Sequence, residues 1–113
     1  MADEQLSIIL VTVPSQDVAQ QLAYDLVKER LAACVNVVSG VRSIYAWEGK
    51  IERTDEVLLI IKTQSARYDA LEAFIRAHHP YETPEIVEIP AGRVMPQYWQ
   101  WIVKETTDTA DSH

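Results

Sequence analysis

Apolar residues recur along this chain in two rhythms. Leu6-Ser7-Ile8-Ile9-Leu10-Val11-Thr12-Val13 is short, rich in β-branched residues and nearly continuous, and Pro14-Ser15 stops it. Such a run predicts a strand buried on both faces and central in its sheet. The rhythm then changes. Ala19, Leu22, Ala23, Leu26 and Val27 form one stripe of an amphipathic helix from about Gln16 to Arg30, with Asp17 favourable in its first turn. Cys34 to Trp47 is strand-like throughout, with Gly40 inside it as an expected bulge, and Glu56 to Thr63 is a second run of the two-face-buried kind. Between them Trp47-Glu48-Gly49-Lys50 predicts a hairpin turn, for which Gly49 supplies positive φ. Ser65 is placed to cap a second helix with Tyr68, Leu71, Ile75 and His78 on its inner face, and Pro80 ends it. Glu85 to Ile89 predicts a last strand. Pro96 starts a short final helix with Tyr98, Trp101 and Ile102 on one side.

The order strand, helix, strand, strand, helix, strand is that of an α+β, ferredoxin-like βαββαβ sandwich with a long hairpin between its second and third strands and a C-terminal helical addition. At 113 residues and 48% apolar content the chain supports one domain with one ordinary core over residues 1–113. About 6–104 is expected to be ordered. Residues 106–113 are polar and acidic and predict a frayed tail.

The hairpin changes the picture. Cys34–Trp47 would span roughly 45 Å if extended, whereas a globule of this length is only about 35 Å across. The hairpin should therefore overhang its own core and carry Tyr45, Trp47 and Ile51 at its tip, an arrangement that favours pairing with another chain. The plainer alternative is that Gly40 breaks the segment into two shorter strands that fold back onto the monomer.

Composition narrows the function. The formal charge of −7 opposes nucleic-acid binding, although five of the 17 acids lie at the chain's ends and the part between is nearly neutral. No stretch approaches the roughly 20 apolar residues of a membrane span, and the acidic start is unlike a leader, so no membrane partner is expected and a cytoplasmic location is. The lone cysteine, Cys34, suits a reducing compartment, and its small apolar neighbours point to packing rather than reactivity. No nucleophile elbow, phosphate-binding glycine loop, dinucleotide fingerprint or zinc-type spacing is present, so neither a catalytic residue nor an organic cofactor is expected.

His78-His79 is the metal candidate, since imidazole suits Cu(II), Zn and Ni, and Glu82 is close enough in sequence to join it. Against this, His78 can be a half-buried residue at a helix C-terminus and His79 can be fixed by Pro80. Helical spacing turns the two about 100° apart, with His78 on the inner face. Lys62 shares a strand face with Glu56, Leu58 and Ile60, where it can bind an anion, answer a carboxylate across a subunit boundary, or extend to water. Tyr45, Trp47 and Tyr81 fit either a ligand cleft or an interface.

Glu29-Arg30-Leu31-Ala32-Ala33-Cys34-Val35-Asn36, Ser43-Ile44-Tyr45-Ala46-Trp47-Glu48-Gly49-Lys50, Leu59-Ile60-Ile61-Lys62-Thr63 and His79-Pro80-Tyr81-Glu82-Thr83-Pro84-Glu85-Ile86 occur in that order. Together they resemble the CutA divalent-cation tolerance proteins over about Leu6 to Ile102. The resemblance implies a ferredoxin-like subunit, a homotrimer built through the long hairpin, a cytoplasmic location and a link to copper and other divalent cations. It also implies a likeness to the trimeric PII signalling proteins, hence an alternative role as a sensor or scaffold that takes a small metabolite or a partner protein at subunit clefts. Some relatives carry a cysteine in the first strand that is proposed to join the metal site, where this chain has Val11. Without that soft ligand the set favours Cu(II), held weakly, and affinity should decline as pH falls through roughly 6.5, the ordinary histidine value.

Overall fold

A computed structural model describes residues 5–107. The elements are β1 (Leu6–Val13), α1 (Gln16–Lys28), β2 (Cys34–Trp47), β3 (Lys50–Gln64), α2 (Tyr68–His78), β4 (Ile86–Pro90) and α3 (Pro96–Thr106). The four strands form one antiparallel sheet in the order β2-β3-β1-β4. This is the ferredoxin-like arrangement read from the sequence, with β1 in the interior of the sheet as its apolar run requires.

Local chemistry explains most element ends. The Ser15 side chain caps α1 by accepting a hydrogen bond from the Val18 amide. α1 stops at Lys28, two residues before the sequence suggests, because Arg30 takes a left-handed conformation (φ 61°) and lets Leu31 and Ala32 donate back to the Leu26 carbonyl. Val27, still within α1, is exposed rather than part of the buried stripe. Ser65 does not cap α2. It lies inside a short 3-10 turn, Ser65–Arg67, that carries β3 directly into the helix. Pro90 ends β4, which is tolerated because β4 is an edge strand.

α1 and α2 cover one face of the sheet. Leu22, Leu26, Leu71 and Ile75 from the helices bury Ile9, Val11, Val13, Val57, Leu59 and Ile61 from the strands. α3 seals one end through Ile102, which packs with Leu6 and Ala33, while Trp99 approaches this cluster and Trp101 faces solvent. That reverses the expected roles of the two tryptophans. Thr106 belongs to α3 and not to a tail: it is fully buried, donates to the Ile102 carbonyl and accepts from Gln64. The remainder of the proposed tail, 108–113, lies outside the described residues.

The hairpin does overhang. β1 pairs with β3 only from Val57 to Gln64, while β2 and β3 stay paired out to Trp47 and Lys50. The extents of 50 × 26 × 22 Å reflect this projection, and the chain does not fold back at Gly40. The turn places Glu48 and Gly49 at φ 50° and 81°, the two positive values a two-residue hairpin turn needs. Gly40 (φ 78°) sits in a bulge between Val38, opposite Leu58, and Val41, opposite Glu56. One extra residue on β2 reverses its alternation. Before the bulge Val35 and Val37 pack on the helix-covered core. Beyond it, the odd-numbered Ser43, Tyr45 and Trp47 share the other face with Glu56.

Candidate functional site

The face of the sheet turned away from α1 and α2 is called the open face. Ile8 and Leu10 of β1, Leu58 and Ile60 of β3, Val38 of β2, and Val87 and Ile89 of β4 share it by register. These side chains are half-buried or exposed. Lys62 lies on this face, where it donates to the Asn36 side chain. It does not line the cleft described next. Cys34, opposite Lys62, is half-buried.

At the hairpin end of the open face, β1, the hairpin and the α2–β4 loop enclose a cleft of about 780 Å³. Tyr45 and Trp47 come from β2, Glu56 from β3, and Tyr81, Glu82 and Glu85 from the loop. Of the residues proposed from sequence, Tyr45, Trp47, Tyr81 and Glu82 meet here. The bulge is what brings the first two to the same face as Glu56.

Tyr81 is fixed at three points. Its amide donates to His79 Nδ1 (3.1 Å), its ring leans on the His79 ring (4.8 Å between centroids), and its hydroxyl donates to Glu56 Oε2 (2.9 Å). Burial, and then the hydrogen bond and charge of Glu56, push the Tyr81 hydroxyl up to about 12, so it remains a donor across the whole physiological range. Thr12 Oγ1 donates to Glu85 Oε1 at 3.4 Å. Glu56 is only 8% exposed. Among the described residues no Lys, Arg or His side chain forms an ion pair with it. Nor does any Lys, Arg or His line the cleft.

The histidine pair is arranged opposite to the sequence expectation. α2 ends at His78, and His79 adopts an extended conformation (φ −88°, ψ 138°), so helical spacing no longer governs it. His79 turns inward and is 8% exposed. Its Nε2–H donates to the Thr12 carbonyl (2.8 Å) while Nδ1 accepts from Tyr81, which commits both ring nitrogens and sets the tautomer. His78 is the exposed one. It stacks on Phe74 and donates Nδ1–H to the Phe74 carbonyl, and it lines a groove together with Asp17 and Asp25 of α1. His78, His79 and Glu82 are therefore not brought together. Among the described residues no group of three or more His, Cys, Asp or Glu side chains is placed to hold a metal ion. Val11 is fully buried in the helix-covered core, and its neighbour Thr12 is the β1 residue that reaches the cleft.

Sequence reading missed Glu56 and Glu85 as cleft acids. Glu56 looks like an ordinary charge at the start of an apolar strand, and only the register across the bulge shows what it faces.

Comparison with known proteins agrees with this fold. The family described as CutA1 divalent ion tolerance protein matches residues 7–105. The "Divalent-cation tolerance protein CutA" of Thermus thermophilus is 43% identical over 99 residues, covering 88% of this chain and 96% of the relative. "Protein CutA" of Mus musculus is 43% identical over 107 residues, covering 95% of this chain. The chain spans 60% of the length of that relative and of its human counterpart. Among solved structures, the divalent cation tolerance protein of Thermus thermophilus superposes with a TM-score of 0.88 at 42% identity, covering 90% of this chain and 99% of the other. CutA1 from Oryza sativa gives 0.91 at 37% identity, with 96% and 100% covered. No described helix is long and apolar enough to cross a membrane.

Proposed function

The chain belongs to the CutA1 divalent ion tolerance family, and from that premise we propose that it acts in divalent-cation tolerance as a homotrimer that binds cations at the acidic cleft, without catalysing a reaction. The observation that carries this reading is the cleft's charge: Glu56, Glu82 and Glu85 with no basic side chain among them. A concave site lined by one sign of charge concentrates ions of the other sign.

The donors test which kind of cation fits. With no three-ligand group among the described residues and with both nitrogens of His79 in use, the cleft offers carboxylate and hydroxyl oxygens that suit a hydrated, weakly held ion rather than a closed ligand cage. Among transition ions such a set ranks Cu(II) above Zn(II) and does little for Cu(I). The trimer is supported by the open face, whose apolar side chains neither α1 nor α2 covers, and by the hairpin that extends beyond the core with Ile44 and Ile51 64% and 63% exposed. The lone Cys34 fits a cytoplasmic setting. A second reading, a PII-like sensor or scaffold that takes a metabolite or partner protein at subunit clefts, is favoured by the aromatic share of the lining.

A calorimetric Cu(II) titration of the full-length protein tests the proposal. Glu82→Gln with Glu85→Gln should weaken binding, and His78→Ala, which removes the one ring nitrogen left free among the described residues, should change it less. Isotherms identical between the parent and the double carboxylate variant would remove the cleft from cation binding.

A further inference from the structure

Half of the chemistry in this cleft is of no use to a metal ion. Trp47 has no lone pair to offer, and its indole nitrogen only donates. Tyr81 has its hydroxyl committed to Glu56, and Tyr45 shares its own with Thr54 at 3.0 Å. Yet all three rings line the same space as the three carboxylates. Aromatic faces attract organic cations, and carboxylates supply their counter-charge. The volume of about 780 Å³ is that of a small-molecule pocket, far larger than a single ion requires.

Glu56 adds an independent observation. A carboxylate nine-tenths removed from water is costly unless it is paired, and its partner here is a neutral phenol with no ion pair among the described residues. Within the subunit no cation neutralises this carboxylate, and one that does so in the cleft must also tolerate an apolar wall. An anionic metabolite is disfavoured for the same reason, since the lining carries no Lys, Arg or His to receive it.

We propose that the cleft is a site for a small aliphatic di- or polyamine, with Tyr45, Trp47 and Tyr81 as its wall and Glu56, Glu82 and Glu85 as its counter-charges. This rests on the cation reading of the cleft and names a class of ligand beyond the divalent ions. Several separated charges on a flexible chain match several carboxylates around a cleft better than one compact ion does. The bulge at Gly40 has a direct role, since it places Tyr45 and Trp47 on the face of Glu56.

The test is calorimetry of the full-length protein with spermidine in the presence of a chelator, so that no metal contributes. Saturable binding at one equivalent per subunit is expected. Trp47→Leu and Glu82→Gln should each weaken it about tenfold, the scale of one desolvated cation–π or charge contact. Both residues are exposed in the subunit, so neither change threatens its fold. Trp47 and Tyr45 lie on the projecting hairpin, so Trp47→Leu and the second aromatic variant Tyr45→Leu are read only where sedimentation shows the parent's assembly, whereas Glu82→Gln lies off the hairpin. Asp69→Asn removes the same charge from an exposed helix position outside the cleft and should leave affinity unchanged. Absence of saturable binding to millimolar spermidine overturns the proposal, as does weakening by Asp69→Asn equal to that by Glu82→Gln, which would mean diffuse attraction to an acidic protein. Because the chelator removes metal, failure here leaves the Cu(II) titration standing as a separate question.

Discussion

The two sides of β3 were built from similar residues and met different fates. Val57, Leu59 and Ile61 lie under α1 and α2 and are almost wholly removed from water. Leu58 and Ile60, interleaved with them and equally apolar, lie on a face that no helix of the subunit covers beyond its α3 end. A strand with one solvated face alternates apolar and polar residues, whereas one buried on both sides is apolar throughout. β3 has the second pattern and, within one subunit, the first environment. A second face completed by another molecule would reconcile the two, and this is the physical argument for the proposed assembly.

The largest effect should come from the covered side. Leu59→Ala removes a fully buried side chain beneath the helices and should cost about 2–5 kcal/mol, read from urea unfolding. A loss below about 1 kcal/mol would mean that the core there is loosely packed. On the open side, Ile60→Asp should leave the subunit folded by circular dichroism while loosening the assembly, because it places an unpaired charge in a desolvated contact. Retention of the full assembly by that variant would show that the open face is not the interface.

The bulge sets which β2 side chains reach each side, so changing it sharpens the contrast. Gly40 is at φ 78° with no atom within 4 Å of where a Cβ would stand, so Gly40→Ala meets backbone strain rather than a clash. A cost of about 1–2 kcal/mol is expected, with altered Trp47 fluorescence if the hairpin face shifts. Tyr81→Phe removes a hydrogen bond to a buried carboxylate and should cost about 1.5–3 kcal/mol, the range for a bond to a charged group. Its pH signature is more specific. The Tyr81 hydroxyl is held up to about 12 by burial and Glu56, so its contribution is fully present below pH 10 and is lost as pH rises from 10 through about 12. In the parent, one of the five tyrosines should ionise in that late step, and spectrophotometric titration of the Phe variant should lack it. Tyr68 and Tyr98 are also raised, each chiefly by burial, but without the link to Glu56.

Much of this architecture was legible in the order of residues. The β1 run, the Leu22–Leu26 stripe, the Gly49 turn and the overhang follow from period and length, which act locally. The site was only partly legible. Tyr45, Trp47, Tyr81 and Glu82 stand out in the sequence and line the cleft, but Glu56 and Glu85 join them through pairings far apart in sequence. The histidines were assigned the wrong way round because the helix period was carried one residue beyond its end, and His79 is extended. Thr106 was assigned to a tail because its composition suggests one, whereas its hydroxyl is committed to Ile102 and Gln64.

The comparison of the two faces rests finally on whether the open one is covered in the native protein. Sedimentation equilibrium of the full-length chain at micromolar concentration measures this directly. A mass three times the 12.8 kDa of the subunit is predicted, and a value of 12.8 kDa would contradict the account.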